Sequence, residues 1–296
     1  MSYEDFIDYL QYEKRVSPHT VTAYGIDLSQ FFQFLEERLE IHQLSDVHSG
    51  DIRAWVISLL EDESLEARSV SRKISAVKAF YRYKLKIKEL TVNPTLTIHA
   101  PKLPKKLPQY VEQRDMEHLF NDIPFEESFE GLRDRTILEL FYATGMRLSE
   151  LLNIKVQDIH FQDNTLKVLG KRNKERIIPF GNRLSELLTL YLENLQKKFS
   201  DGTENNYIFV TANGKQLYPK AVYRIVRKYL DMVTTIDKRS PHVIRHTFAT
   251  HLLNNGADLN AIKTILGHSS LAATQVYTHN SIEQLKSIYQ QAHPRA

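Results

Sequence analysis

Tyr277 lies near the carboxyl end of the 296-residue chain, in the run LGHSSLAATQVYTHN, nine positions after His268. Most of the 15 tyrosines are expected to fill cores, but a tyrosine hydroxyl is also a nucleophile once it loses its proton. Its reference pKa of about 10 leaves roughly one molecule in a thousand ionised at neutral pH. Nearby cations would lower that pKa and would stabilise charge on a phosphate under attack. A catalytic role for Tyr277 therefore requires arginine or lysine side chains that the fold brings to it.

Two segments in the second half of the chain offer such cations. TGMRLSEL (residues 144–151) carries Arg147, with Glu150 three residues later, a helical spacing at which a carboxylate orients a guanidinium. GKRNKER (residues 170–176) is typical of a turn between two strands, with Lys171 near its tip, where a flexible stem and a compact ammonium suit proton donation. A surface arginine and an ordinary solvated turn would have the same sequences, so neither segment is decisive alone.

A third segment, SPHVIRHTFATHLL (residues 240–253), has the serine and proline that begin a helix. His242 and Arg245, three positions apart, share one face at the helix start, where free backbone N–H groups attract an anion. Three histidines within ten residues also raise the alternative of a zinc site, but the protease pattern needs glutamate directly after the first histidine, and valine follows His242. We predict no metal and no other cofactor.

Composition favours a cytoplasmic protein with two domains. Hydrophobic residues make up 42% of the chain, enough for a core in each domain. Cysteine is absent, which excludes a disulfide framework and a thiolate metal site. The start, MSYEDFIDYL, is acidic where a signal peptide would be basic and apolar, and no apolar run reaches 18 residues. We therefore predict neither export nor a membrane span.

Hydrophobic spacing in the first hundred residues predicts a compact bundle of about four helices. Ser17 and Pro18, for example, are typical of an N-cap and a first helical position. The following stretch, NPTLTIHAPKLPKKLPQ, holds four of the ten prolines and is predicted to be an extended linker. The predicted divisions are an amino-terminal domain over residues 1–92, a linker over 93–109 and a carboxyl-terminal domain over 110–296.

Charge is distributed unevenly, although the net charge is only +3. Residues 1–66 hold 4 basic and 14 acidic side chains, whereas residues 67–109 hold 11 basic and 1 acidic. Eight of these basic residues lie on one predicted helix between Arg68 and Lys88; unbalanced charges repel one another there, which favours phosphate contact over a solvated surface. The linker lysines fit either a strap across phosphates or a plain solvated linker. The candidate phosphate-contacting residues are Arg68, Arg72, Lys73, Lys78, Arg82, Lys102, Lys105 and Lys106.

The larger second half is predicted to be mostly helical with a small antiparallel sheet, so the whole chain is predicted to be mainly α. Helices are expected at residues 112–122, 131–153, 182–199, 218–235, 241–255, 258–266 and 281–291. Strands are expected near Ile159 and at Leu166–Leu169 and Arg176–Pro179, with YIFVT (residues 207–211) as an extra candidate. The last helix carries Ile282, Leu285 and Ile288 on one face, which either packs on its own domain or docks on a neighbouring molecule.

Five motifs resemble, in order and spacing, those of the tyrosine recombinases: TG-x-R-x-SEL, GK followed by NKER, H-x-x-RHTFATHLL, LGHSS and YTH. The closing AHPRA resembles the Xer-type bacterial members, and SPHT-VTAY-x-x-DL-x-x-F extends the match into the first domain. The resemblance implies a SAM-like core-binding bundle followed by a catalytic domain. It also implies cleavage and rejoining of DNA through a 3′-phosphotyrosine, without metal or ATP.

The resemblance implies a scissile phosphate surrounded by Arg147, Lys171, His242, Arg245 and His268 and attacked by Tyr277. In this assignment Lys171 is the general acid to the leaving 5′ oxygen, the arginines clamp the phosphate oxygens, and the histidines hold the phosphate or assist proton transfer. The sequence departs from the usual pattern at Arg172, where glycine is common, and at Ala273, where threonine is common. The first change affects the turn that carries Lys171.

The implied partners are a double-stranded recombination site and three further protomers, either copies of this chain or a second Xer-type recombinase. Resolution of chromosome dimers at segregation is the implied task, with a cell-division DNA translocase as a further candidate partner and with no role for a membrane. Three alternatives stay open: a phage or transposon integrase, a type IB topoisomerase-like enzyme, and a DNA-binding protein that has lost catalysis. The short chain disfavours the first, and the intact set of catalytic residues disfavours the last.

Overall fold

The computed structural model describes residues 1–61, 64–102, 109–170, 175–200, 202–267 and 279–296. Its contacts divide the chain into two compact units, Met1–Lys106 and Leu107–Ala296. The predicted fold class, mainly α with a small antiparallel sheet in the second half, is confirmed. The functions assigned to the two predicted domains stay predictions.

The first unit is a helical bundle around an aromatic core. Its helices are α1 (Glu4–Asp8), which continues as a π-helical turn (Tyr9–Glu13), α2 (Pro18–Leu39), α3 (Ser49–Glu61) and α4 (Ala67–Lys86). As the sequence predicts, Ser17 caps α2, and its Oγ accepts a hydrogen bond from the backbone N–H of Thr20 at 3.3 Å. The rings of Phe31 and Trp55 pack with centroids 4.8 Å apart, and both are buried. Burial of these large rings supplies much of the bundle's hydrophobic stabilisation.

Two lysines of α4 are buried, which corrects the prediction of eight unbalanced charges on this helix. Lys73 lies with its Nζ 3.3 Å from Oδ1 of Asp27, and Lys84 lies with its Nζ 2.8 Å from Oδ2 of Asp5. Acidic residues of the first 66 thus neutralise part of the basic helix. We therefore withdraw Lys73 from the candidate DNA contacts, because reaching a phosphate would break a buried pair.

Part of the predicted linker packs on the first unit. Residues 93–102 belong to the same unit as the bundle, where Thr95 is buried and Ile98 is part of the apolar core. Burial of Ile98 removes hydrocarbon from water and so favours packing of this stretch on the bundle. The linker residues Lys105 and Lys106 lie outside the described residues.

The second unit consists of helices around a three-stranded sheet. The helices are α5 (Gln113–Asn121), α6 (Phe129–Thr144), α7 (Leu148–Leu152), α8 (Asn182–Lys198), α9 (Pro219–Leu230), α10 (Pro241–Asn254), α11 (Leu259–Leu266) and α12 (His279–Ala292). The strands β1 (Ile159–His160), β2 (Thr165–Leu169) and β3 (Glu175–Pro179) form an antiparallel sheet in that order, with Leu166 opposite Ile178. Almost every residue of α6 from Gly131 to Thr144 is buried, so this helix forms the centre of the core.

Three elements differ from the sequence prediction, one of them only in length, since the helix predicted over 218–235 ends at Leu230. The helix predicted over 131–153 is two helices, because Gly145 adopts a left-handed conformation with φ of 58° and ends α6. The extra strand predicted at 207–211 forms only isolated bridges, from Tyr207 to Lys155 and from Val210 to Gln216. Its central residues are consecutively buried, so the apolar run reflects passage through the core and not strand pairing.

Helix α12 packs on its own unit in this structure. Leu285 and Tyr289 are buried, and the helix contacts α10, α11 and β3. The chain end is anchored as well, since Arg295 donates two hydrogen bonds to the buried carboxylate of Glu139, at 2.6 and 3.1 Å. Docking of this helix on a neighbouring molecule stays a prediction. Among the helices of the described ranges, none combines the length and apolar character needed to cross a membrane.

Candidate active site

Arg147 stands directly before α7, where its backbone and side chain both bind Glu150. The backbone N–H donates to Oε2 at 2.7 Å, and Nη1 donates to Oε1 at 2.8 Å, which forms a capping interaction at the helix start. Nη2 donates to the carbonyl oxygen of Gly267 at 3.1 Å. The side chain is still 30% exposed, so its outer edge can receive an anion from solvent.

Arg245 projects from the first turns of α10 into the interior. Its Nη1 donates to the carbonyl oxygen of Gly145 at 2.6 Å, and its Nη2 donates to that of Leu266 at 2.7 Å. Burial, together with the positive charges of Arg147 and Arg176, lowers the pKa of Arg245 to about 10, against the opposing effect of Glu150. The guanidinium is therefore protonated at neutral pH, in a place where its charge is costly.

Gly145 is required where Arg245 reaches the backbone. Its φ of 58° is unfavourable for residues with a side chain, and a Cβ there would lie 2.4 Å from Cδ1 of Phe248 and 2.9 Å from Cδ2 of Leu266. The same backbone position presents its carbonyl to the guanidinium. The glycine of the TGMR motif thus allows α6, α10 and α11 to approach closely around Arg245.

Arg176, on β3, is a member of the site that the sequence interpretation missed. It is buried, and its Nη1 and Nη2 bind Oε1 and Oε2 of Glu150 at 2.7 and 2.8 Å. Burial raises the pKa of Glu150, but the hydrogen bonds and charges of Arg176, joined by those of Arg147, outweigh burial and hold it below its ordinary value. The available signal was strand alternation, which places Arg176 on the inward face with Ile178, where an arginine needs an acidic partner.

Three guanidiniums meet at the carboxyl end of α11. The consecutive carbonyl oxygens of Ile265, Leu266 and Gly267 accept hydrogen bonds from Arg176 (2.7 Å), Arg245 (2.7 Å) and Arg147 (3.1 Å), respectively. The last carbonyls of a helix have no partner within the helix and carry partial negative charge, which cations stabilise. With the carboxylate of Glu150 included, this group of described residues has a net charge of +2. We call these four residues, Arg147, Glu150, Arg176 and Arg245, the arginine cluster.

The sequence models of two families match the chain. One, the phage integrase family, covers residues 109–284, and the other, the N-terminal SAM-like domain of phage integrases, covers residues 3–88. The chain belongs to the phage integrase family. Each match lies within one of the two units of the structure, and together they cover most of the chain.

Individual relatives place the chain near one group of this family. Tyrosine recombinase XerC of Chlorobaculum parvum is 39% identical, with 99% of this chain and 94% of the relative covered. Tyrosine recombinase XerC of Staphylococcus aureus is 42% identical, with 99% and 96% covered. The XerH site-specific recombinase, solved on a palindromic difH substrate in a post-cleavage complex, has the same fold with a TM-score of 0.73 and 18% identity, over 98% of this chain and 80% of that one. The resemblance to Xer-type tyrosine recombinases is confirmed.

The structure brings together only part of the set that family membership implies. Arg147 and Arg245 converge in the arginine cluster, and His242 lies exposed in the first turn of α10. Lys171, His268 and Tyr277 lie outside the described residues, as do Arg172 and Ala273. In sequence, however, His268 directly follows Gly267, whose carbonyl oxygen accepts a hydrogen bond from Arg147. The segment that carries His268 and Tyr277 is therefore joined directly to a residue that contacts the cluster. The roles of these residues in an integrase-type reaction stay predictions.

One of the three histidines of α10 has a structural role. His251 is buried, and its Nδ1 lies 2.8 Å from the hydroxyl of Tyr142, so it is a hydrogen-bonded core residue. Its burial lowers its pKa, which keeps the ring neutral at physiological pH. Within the described part of the chain, no three histidine, aspartate or glutamate side chains are grouped closely enough to hold a metal ion. The histidine-rich sequence therefore has a structural explanation at His251.

Proposed function

We propose that the protein is a site-specific recombinase that cuts and rejoins double-stranded DNA through a 3′-phosphotyrosine intermediate. Tyr277 attacks the phosphate, and Arg147 and Arg245 bind its non-bridging oxygens. The observation that supports this most directly is the convergence of these two guanidiniums on the last turn of α11, immediately before the segment that carries His268 and Tyr277 in the sequence.

Charge balance supports a phosphodiester as the substrate. A phosphodiester carries one negative charge, and a second develops on its oxygens as a nucleophile adds. The arginine cluster has a net charge of +2 in the described residues, and its donors are fixed by backbone carbonyls before substrate binds. Preorganised donors of this kind stabilise developing charge without reorganisation, and each contributes on the order of 2.7–4 kcal/mol in comparable sites.

Proton transfer and resealing complete the proposed reaction. Lys171 protonates the leaving 5′ oxygen, and His242 and His268 hold the phosphate or assist proton transfer. The bond between the 3′ phosphate and Tyr277 retains most of the energy of the broken phosphodiester, so a 5′ hydroxyl can reverse the step without ATP. Since the arginines supply the positive charge, the proposed chemistry requires no metal ion.

Two exposed basic surfaces are proposed to bind the duplex. On α4, Arg68 and Arg82 are exposed, and Arg72 is exposed although it also contacts Asp27. The second surface, on α9, was not predicted from the sequence: its exposed basic residues are Lys220, Arg224, Arg227 and Lys228, of which Lys228 also contacts Glu126 and Arg227 lies 3.7 Å from Asp231. The signal for it is the sequence PKAVYRIVRKYL, which holds four basic residues and no acidic one. Lysine and arginine at such surfaces bind phosphates and position the protein on DNA.

The proposed biological task is resolution of chromosome dimers at segregation, in the cytoplasm. Four protomers, either identical or shared with a second Xer-type recombinase, would assemble on paired recombination sites, and a cell-division DNA translocase is a further candidate partner. Relatives that are 39% and 42% identical over nearly the whole chain are named XerC, which favours this task over phage or transposon integration.

Covalent capture of DNA tests the proposed reaction. The full chain is incubated with a library of nicked duplexes of randomised sequence, and DNA that stays attached after denaturation is recovered and sequenced. We expect a defined sequence to be enriched, because recombination is site-specific, and we expect the adduct to form in excess EDTA. Tyr277→Phe should bind the recovered duplex without forming the adduct, because only the nucleophile is removed.

The outcomes separate the recombinase from two of the three alternatives. An adduct of normal yield with Tyr277→Phe would refute the assigned nucleophile. Covalent capture without sequence enrichment, together with efficient relaxation of a supercoiled plasmid, would indicate a topoisomerase-like enzyme. Binding without any adduct would indicate a DNA-binding protein that has lost catalysis.

A further inference from the structure

The guanidinium of Arg176 forms hydrogen bonds with other groups of the protein. Its Nε donates to the carbonyl oxygen of Ile265, and its two η nitrogens bind both oxygens of Glu150. The side chain is only 5% exposed, whereas that of Arg147 is 30% exposed. Arg176 is therefore placed to act on the arginine cluster and not directly on a phosphate.

Through Glu150, Arg176 affects the charge and the orientation of Arg147. Oε1 of Glu150 accepts hydrogen bonds from Nη1 of both arginines, at 2.7 and 2.8 Å. One carboxylate is thus shared between two cations, so Arg147 is only partly neutralised. Without Arg176, the Glu150 carboxylate would pair with Arg147 alone. The carboxylate would also lose the bidentate hydrogen bond to a planar guanidinium that fixes its orientation.

Arg176 also links β3 to the end of α11. Its bond to Ile265 is the first of the three arginine contacts to consecutive carbonyls, and a Cβ at Gly267 would lie 3.0 Å from its Cδ. In sequence, β3 follows the GKRNK segment that carries Lys171, and α11 precedes the segment with His268. One buried side chain therefore links the strand that follows Lys171 in sequence to the helix that precedes His268 and Tyr277.

We propose that Arg176 is a positioning residue for strand cleavage, which holds Arg147 through Glu150 and fixes the carboxyl end of α11. This inference rests on the proposed function. Its consequence is a defect in the rate of the chemical step without a matching defect in DNA binding, because the buried guanidinium does not contact the duplex. Misplacement of a catalytic group by about 1 Å can cost roughly 100-fold in rate, which sets the expected scale.

The competing explanation is that Arg176 only stabilises the fold, and Arg133 provides a matched control for it. Arg133 is buried in α6, donates to Oδ1 of Asp134 at 2.7 and 3.0 Å, and donates to the carbonyl oxygen of Val210 at 3.1 Å. It has the same combination of a buried carboxylate and a backbone carbonyl, but its partners lie outside the arginine cluster. A general loss of stability would affect both positions alike.

The experiment compares Arg176→Met, Arg176→Lys and Arg133→Met with the unaltered full chain. The probe is a nicked duplex recovered by covalent capture with the unaltered chain. Single-turnover adduct formation at saturating DNA gives the rate, gel-shift titration gives the Kd, and thermal unfolding confirms that each variant is folded. Amide hydrogen exchange of residues 145–152 and 259–267 reports the order of α7 and α11 independently of catalysis.

We expect Arg176→Met to slow adduct formation about 100-fold and Arg176→Lys about 10-fold, since lysine keeps the charge without the fork. The Kd should stay within about threefold of the parent value, because an effect confined to the chemical step leaves ground-state binding unchanged. Amide exchange should rise in both peptides for Arg176→Met. Arg133→Met should show neither the slow rate nor the faster exchange.

A parent-like rate for folded Arg176→Met, or an equal loss of rate for Arg133→Met, would overturn the positioning role and leave the proposed recombinase function intact. An unaltered chain that captured no duplex at all would instead refute the proposed function, and this inference with it.

Discussion

Buried cations in the first unit and at the candidate active site are neutralised to different degrees. In the first unit, Lys84 is bound by two carboxylates, those of Asp5 and Glu89, each at 2.8 Å. In the arginine cluster, three guanidiniums are accompanied by the one carboxylate of Glu150 within the described ranges, and carbonyls at the end of α11 accept hydrogen bonds from all three. The first arrangement is complete without a ligand, whereas the second has a surplus of positive charge.

This difference in neutralisation distinguishes basic groups that are already balanced from those that can bind an anion. Moving a charge out of water costs several kcal/mol, so a protein buries a cation only with compensation. Where its own carboxylates compensate fully, the cation is structural; where they do not, a bound anion completes the balance, and the site is a functional candidate. The basic run on α4 holds more basic residues than the arginine cluster, yet its Lys84 belongs to the first class.

The largest effect is expected from Arg147→Lys. Lysine keeps the charge but cannot bind Glu150 and Gly267 at once and still present a donor to phosphate. We expect adduct formation on a recovered nicked duplex to slow by about 100- to 1,000-fold, the effect typical of removing one preorganised oxyanion donor. Single-turnover kinetics at saturating DNA measure the rate.

Arg239→Lys is the matched control for Arg147→Lys. Arg239 is also a partly exposed arginine of the second unit, and its Nε lies 2.9 Å from Oδ1 of Asp231, outside the arginine cluster. We expect its rate to equal that of the unaltered chain. A loss below tenfold for Arg147→Lys, or a similar loss for Arg239→Lys, would contradict the role of the surplus charge.

A smaller effect, on stability and not on rate, is expected from Lys84→Met. The substitution removes a buried cation and leaves Asp5 and Glu89, whose side chains are 39% and 47% exposed and can regain water. We therefore expect the free energy of unfolding of the first unit to fall by only about 1–3 kcal/mol. Trp55, the single tryptophan, is buried in this unit, so its fluorescence during urea unfolding reports the change.

Lys86→Met serves as the comparison for Lys84→Met. Lys86 is exposed, and its Nζ is 3.9 Å from Oε2 of Glu13, a distance at which a surface ion pair contributes little. We expect unchanged stability for Lys86→Met and unchanged adduct formation at saturating DNA for both variants. An undiminished stability combined with a slower reaction in Lys84→Met would show that the buried cation of the first unit is functional after all.

Local rules were sufficient for most of the fold. The N-cap at Ser17, the strands on either side of the GKRNK segment and the helix starting at Pro241 follow from capping and from periodicity, which act over a few residues. The break at Gly145 was missed, because a glycine within a helical pattern ends the helix only when the packing around it requires a left-handed residue. That packing involves residues 100 or more positions away.

The site was predictable only through its motifs. Arg147 and Arg245 were found because each stands in a conspicuous sequence, and the spacing from Arg147 to Glu150 correctly indicated the hydrogen bond between them. Arg176 was missed because its partners, Glu150 and Ile265, are distant in sequence, and a single strand residue gives no sign of a long-range pair. The burial of Lys73 was missed for the same reason, since periodicity shows which face a residue occupies but not which carboxylate lies opposite.

The smallest effect is expected from charge reversal on the exposed face of α4. Arg68 and Arg82 are exposed on the helix, in contrast to the buried lysines. We therefore expect these two arginines to bind an anion from outside the protein. Removing one phosphate-binding cation lowers the slope of log K against log salt for duplex binding by about 0.9, so Arg68→Glu with Arg82→Glu should flatten it by up to about 1.8. Gel-shift titrations at several salt concentrations measure the slope. Arg38→Glu, at an exposed arginine beside Glu37 and Glu40, is the control. An equal slope for the unaltered chain, the double variant and Arg38→Glu would show that the exposed face of α4 does not bind DNA phosphates.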